Sequence, residues 1–120
     1  MDDDFTASMR ERAASSLAAL FSGLLAAGDC DFGSFEGRAI AMGHEAISVA
    51  MGRALERFDA ELCASLPDGC RVHDVRTRTL ATEVGDVTFR HRRSRDRYGN
   101  TEVPLADALD LPWHCLSVVA

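Results

Sequence analysis

The run Arg78-Thr79-Leu80-Ala81-Thr82-Glu83-Val84-Gly85-Asp86-Val87-Thr88-Phe89-Arg90-His91-Arg92 alternates on both sides of a Gly-Asp step. A period of two sends successive side chains to opposite faces, so the run predicts a β-hairpin. With Gly85-Asp86 as a two-residue loop, Val84 faces Val87, Thr82 faces Phe89 and Leu80 faces His91. Glycine in first place suits a type II′ turn. Leu80, Val84, Val87 and Phe89 then form a face expected to pack on a core. Thr79, Ala81, Glu83, Thr88, Arg90 and Arg92 form the face expected in solvent.

Upstream the period is helical. Phe5, Met9, Ala13, Leu17, Leu20, Phe21, Leu24 and Leu25 recur at three- and four-residue steps, which predicts a helix from about Phe5 to Ala27. Asp2 to Asp4 favour its positive end and Gly28 stops it. A turn over 28–34 precedes a second helix, Phe35 to Ala64. Its large stripe is Ile40, Ile47, Met51, Leu55, Phe58 and Leu62. Beside it Ala39, Gly43, Ala46, Ala50 and Ala54 form a small-residue stripe, read either as a close-packing face toward another helix or copy, or as plain helix-favouring alanine. His44, at the edge of the large stripe, is assigned no role.

Leu66-Pro67-Asp68-Gly69 ends that helix, since proline and glycine both resist continuing it. After the hairpin, Asp96-Arg97-Tyr98-Gly99-Asn100 reads as a turn and Thr101 to Pro104 as a third strand. Leu105 to Leu109 reads as a helical turn. The apolar end, Trp113 to Ala120, has no cap and is expected to belong to a truncated chain. The fold class is α+β: an antiparallel helical hairpin over 1–70, a basic three-stranded meander over 71–104, and a short helical tail over 105–120, in one compact domain.

Charge separates these parts. All 13 basic residues are arginine. Residues 1–70 carry five arginines against twelve acids, whereas 71–97 carry eight against four, within a total of −6. That total argues against indiscriminate nucleic-acid binding but leaves a local basic site. No run of eighteen apolar residues is present, so no spanning helix or membrane partner is expected. The acidic start, Met1-Asp2-Asp3-Asp4, leads to a cytoplasmic location and reduced thiols for Cys30, Cys63, Cys70 and Cys115. Cys63, Cys70 and His73 with His91 or Cys115 make a conceivable zinc set, yet Cys63-x6-Cys70 is loose for a knuckle. No metal, cofactor or small-molecule substrate is expected. A P-loop, a dinucleotide fingerprint, a His-Glu-x-x-His pair and a nucleophile elbow are all missing from the sequence, which argues against an enzyme in its own right.

Several segments together resemble the N-terminal region of the Lre-type insertion-sequence transposases, bacterial DDE-type enzymes related to the Mutator group. They are Leu55-Glu56-Arg57-Phe58-Asp59-Ala60-Glu61-Leu62, Arg78-Thr79-Leu80-Ala81-Thr82, Gly85-Asp86-Val87-Thr88-Phe89-Arg90, Asp96-Arg97-Tyr98-Gly99-Asn100 and Leu105-Ala106-Asp107-Ala108-Leu109-Asp110-Leu111. The resemblance spans roughly residues 35–112. Where such proteins tend to place aromatic residues after the second strand, this chain has Arg92-Arg93-Ser94-Arg95. The family's catalytic carboxylates belong to a later ribonuclease-H-like domain, so the resemblance implies a non-catalytic part and no catalytic residue here.

Two uses of the chain follow. Arg76, Arg78, Arg90, Arg92, Arg93, Arg95 and Arg97 are candidate DNA contacts, because a two-stranded ribbon fits the major groove and guanidinium forks onto phosphate oxygens. The other reading pairs these arginines with the acidic helices of the same chain or its dimer. The helices then act as a dimerisation or protein-interaction module, with the hairpin as a brace.

Overall fold

The computed structural model describes residues 3–28, 31–111 and 117–119. In chain order the elements are α1 (Asp3–Ala26), α2 (Phe32–Cys63), β1 (Arg71–Thr82), β2 (Gly85–Arg95), β3 (Thr101–Glu102), α3 (Pro104–Leu109) and β4 (Ser117–Val119). The class is α+β, as the change of period at Leu66–Gly69 implies. The chain divides into two compact units, Met1–His44 and Glu45–Ala120.

In the first unit, α1 has no buried residue. Phe21 and Phe35 meet edge to face, with centroids 6.4 Å apart. α2 starts earlier than its apolar stripe suggests. Asp31 caps it: Oδ1 accepts the Ser34 N–H at 2.8 Å, satisfying one of the free donors of the first turn.

The second unit holds the sheet, in the order β3-β2-β1-β4, with every adjacent pair antiparallel. The three expected strands are present and a fourth joins them, as Ser117–Val119 pairs along Thr77–Thr79 of β1. The end of the chain therefore contributes a strand rather than a purely helical tail. Trp113, His114 and Cys115 lie outside the described residues.

The hairpin is confirmed but its register is corrected. Thr82 pairs with Gly85, Leu80 with Val87, Arg78 with Phe89 and Arg76 with His91. The turn is Glu83-Val84, not Gly85-Asp86. Gly85 follows that turn with φ +112, a conformation costly for any residue with a Cβ. Thr82 locks the corner, its hydroxyl donating to the Gly85 carbonyl at 2.7 Å and accepting the Val84 N–H at 3.2 Å. A register shift between Val72 and Asp74 leaves His73 as the extra residue of a bulge.

Val87, Phe89 and Leu105 are the buried apolar core, with Leu55, Phe58, Leu62, Leu80 and Leu111 packed on it. Val84, expected on that face, sits in the turn. Thr79, expected in solvent, is buried, and its hydroxyl hydrogen-bonds Thr88 at 2.9 Å. α3 begins at Pro104 after Val103 and ends on Asp110 in the left-handed region.

The second half of α2 lies along the edge of β2 that β3 leaves uncovered. The Ser48 hydroxyl donates to the Asp86 carbonyl at 2.5 Å. Gly52 comes so close to Thr88 that a Cβ there would stand 2.7 Å from its carbonyl oxygen. Glu56 Oε2 accepts the Arg90 N–H at 2.9 Å, and Asp59 accepts the Arg92 N–H with both oxygens, at 3.1 and 3.2 Å. Helix positions 48, 52, 56 and 59 thus meet strand positions 86, 88, 90 and 92. Four helical residues advance about 6 Å and two strand residues about 6.7 Å, so the two elements stay in step over this length. The contact occupies an edge that otherwise invites pairing with another chain.

Candidate functional site

The basic hairpin sorts its arginines by what stands beside each one. Asp59 is 1% exposed. Its Oδ2 takes a charged hydrogen bond from Arg92 Nη1 at 2.9 Å while the same carboxylate holds the Arg92 backbone. Arg92 is therefore clamped twice by a buried acid. Arg93 forms a two-pronged pair with Asp74, Nε to Oδ1 at 2.6 Å and Nη2 to Oδ2. Arg76 Nε approaches the same Asp74 at 3.4 Å. The Arg93 hydrogen bonds, then its charge, hold the Asp74 carboxyl well below the usual carboxylate range and raise Arg93 in turn. Arg78 is 6% exposed, directly across from Phe89.

The remaining arginines face outward. Arg90 commits its backbone to Glu56 but its residue is exposed. Arg95 Nη2 lies 3.0 Å from His73 Nε2. The Arg97 guanidinium lies 5.8 Å from the Tyr98 ring centroid and against Gly69, where an added Cβ would stand 3.2 Å from Nε. The seven arginines that the sequence nominates thus do not form one surface. Arg76, Arg92 and Arg93 meet carboxylates, Arg78 is buried, and Arg90, Arg95 and Arg97 are exposed.

Asp59 and Asp74 were not among the nominated residues, yet they organise the hairpin. A signal for Asp59 exists in the sequence: Ser48, Gly52, Glu56 and Asp59 recur at steps of four, four and three, a stripe of helix distinct from the apolar one. His73 has a place in the sequence reading only within the conceivable zinc set; its contact with Arg95 comes from the bulge, which depends on the register.

His91 is 4% exposed, and its Nδ1 has no hydrogen-bond partner among the described residues. Burial, and then the Arg78 charge, push its imidazole below the ordinary histidine value. The Cys63 thiol is pushed up by burial and by Asp59, which keeps it protonated and a poor nucleophile. Among the described residues no three His, Cys, Asp or Glu side chains stand close enough together to hold a metal ion. Cys30 and Cys115 lie outside those residues. No helix among the described residues is long and apolar enough to cross a membrane.

Comparison with protein-family models, curated proteins and solved structures finds no match to this chain.

Proposed function

We propose that this chain is a non-catalytic assembly module of a transposase-like protein, in which the helices associate with a second copy and the hairpin braces them. The single observation that supports the transposase-like part is where the resembling segments fall. Every residue of the core cluster, Val87, Phe89 and Leu105 with Leu55, Phe58, Leu62, Leu80 and Leu111, comes from one of those segments. Segments scattered over 57 positions therefore converge on one packing unit.

The assembly role rests on α1. Phe5, Met9, Leu20 and Leu25 are exposed on a helix without a buried residue. From Ala13 to Ala27 the chain has no charged side chain. Such a face meets its own copy without like-charge repulsion, which suits a two-fold self-association. Light scattering on the whole chain is expected to give a dimer, and Met9→Glu with Leu20→Glu a monomer. A strict monomer at high concentration would remove the assembly reading.

A second reading, DNA association, keeps one specific observation in its favour: Arg90, Arg95 and Arg97 are exposed and their guanidinium groups form no ion pair among the described residues. Binding to duplex DNA through them would weaken steeply with salt. Arg90→Ala with Arg97→Ala should flatten that salt slope, and an unchanged slope would sink this reading.

A further inference from the structure

We propose that the open end of the hairpin is a phosphate-binding site, built by Arg71, Arg95 and Arg97 around a shallow concavity of about 480 Å³. Gly69, Cys70, Asp96 and Gly99 complete its lining. The site shares Arg95 and Arg97 with the DNA-associating reading and in that part rests on it, but its chemistry is argued independently.

The first observation is a like-charge confrontation. Arg71 and Arg95 are direct register partners across β1 and β2. Cross-strand partners hold their side chains side by side, and like charges placed so destabilise a sheet. Farther along the ladder the same two strands pair Asp74 with Arg93, the stabilising combination. Arg71 and Arg95 have no such relief: neither meets a carboxylate among the described residues. An anion between them would turn the repulsion into two attractions.

The one acid in the lining, Asp96, feels the Arg97 charge but forms an ion pair with none of the three guanidinium groups. Asp96 turns its carboxylate into its own loop, where Oδ1 accepts the Tyr98 and Asn100 N–H groups, both at 2.9 Å, and Oδ2 accepts Asn100 Nδ2 at 3.1 Å. That carboxylate is occupied in shaping the turn that carries Arg97. The third guanidinium is seated on Gly69, a glycine with φ +86 whose missing Cβ leaves room for Arg97 Nε. The bulge at His73 brings an imidazole to Arg95. A bulge next to a site commonly re-aims a side chain. Here it sets Arg95 against a ring nitrogen and not against a carboxylate.

Three guanidinium groups on one concavity fit a tetrahedral oxyanion, because each fork offers paired N–H donors at the spacing of phosphate oxygens. The phosphate is either a free phosphate group or one of a nucleic-acid backbone. Titration of the whole chain with inorganic phosphate at constant ionic strength, followed by the arginine Nε–H resonances, tests the site. Saturable shifts are expected for Arg71, Arg95 and Arg97. Arg71→Gln and Arg95→Gln should each weaken phosphate about tenfold or more, while Arg57→Gln, an exposed arginine of α2 outside the concavity, leaves it unchanged. Because the two variants remove a repulsion, they should not lower the unfolding midpoint. Shifts that chloride reproduces, or an equal loss in Arg57→Gln, would overturn the proposal. A duplex-DNA arm separates the sources. Phosphate binding without duplex binding supports the site and ends the DNA-associating reading. Duplex binding without saturable phosphate binding overturns the site and leaves that reading standing.

Discussion

A buried carboxylate is tolerated only when its partners are fixed, and Asp59 has two from one residue, the Arg92 backbone N–H and its guanidinium. Asp59→Ala strands both, and the cost should be about 2–4 kcal/mol, within the range for breaking a buried charge pair. Chemical denaturation would read it. Asp59→Asn keeps the shape and one acceptor and should lose less. At Gly52 the obstacle is steric. A methyl group would have to enter the space of the Thr88 carbonyl, so Gly52→Ala should destabilise by about 1–3 kcal/mol although alanine is the better helix former. A gain in stability would show that the helix does not hold this distance from the strand. His91 supplies a pH dependence. Its folded-state value is depressed by burial and by Arg78. On acidification the unfolded chain takes up the proton first, so stability falls as pH drops below about 6.5 and levels off beneath the depressed value. His91→Leu should flatten this part of the curve; an unchanged slope would assign it to other groups.

At the scale of elements, the helix-covered edge explains why the hairpin is both basic and orderly. β2 offers alternate backbone groups along one side, and α2 answers with a hydroxyl, a glycine and two carboxylates in matching steps. Little of this was legible beforehand. Alternation has a period of two, so moving the pairing by an even number of residues leaves every side chain on the same face. The faces of Leu80, Val87 and Phe89 were therefore readable, whereas the partner of Leu80 was misjudged by four residues, His91 in place of Val87. What fixes register is the turn, and Gly85 fits two of them: first in a two-residue loop, or just after a turn at Glu83-Val84. Asp96-Arg97-Tyr98-Gly99-Asn100 was legible because a side chain bonded to its own backbone is a local matter. Asp59 opposite Arg92, 33 residues away, is not local and depends on the register. Gly85→Ala tests the turn. With φ at +112 it should cost about 1–2 kcal/mol, whereas Asp86→Ala, outside the turn, should cost little.

For the whole chain, the buried core and the exposed apolar helix belong to different stretches. Every buried residue among those described falls within Glu45–Ala120, including Gly52 and Asp59 of α2. The apolar residues before that boundary, from Phe5 to Ile40, are exposed or half-buried. Folding free energy from burial therefore belongs almost wholly to the second unit, and the first has apolar surface left to give to a partner. These two statements separate in one experiment. A chain of residues 45–120 should fold by itself, with the amide spectrum of the sheet preserved, since it carries the whole core cluster around Val87, Phe89 and Leu105. Its unfolding midpoint should not vary with protein concentration. The whole chain, if it associates through its helices, should show a midpoint that rises with concentration, because dimerisation stabilises the folded state by mass action. A fragment that fails to fold would mean that the exposed helical surface supports the sheet after all. Were the fragment as concentration-dependent as the whole chain, the associating surface would lie within residues 45–120, where Ile47, Val49, Met51, Val72, Val75, Tyr98 and Leu109 are the exposed large apolar residues among those described.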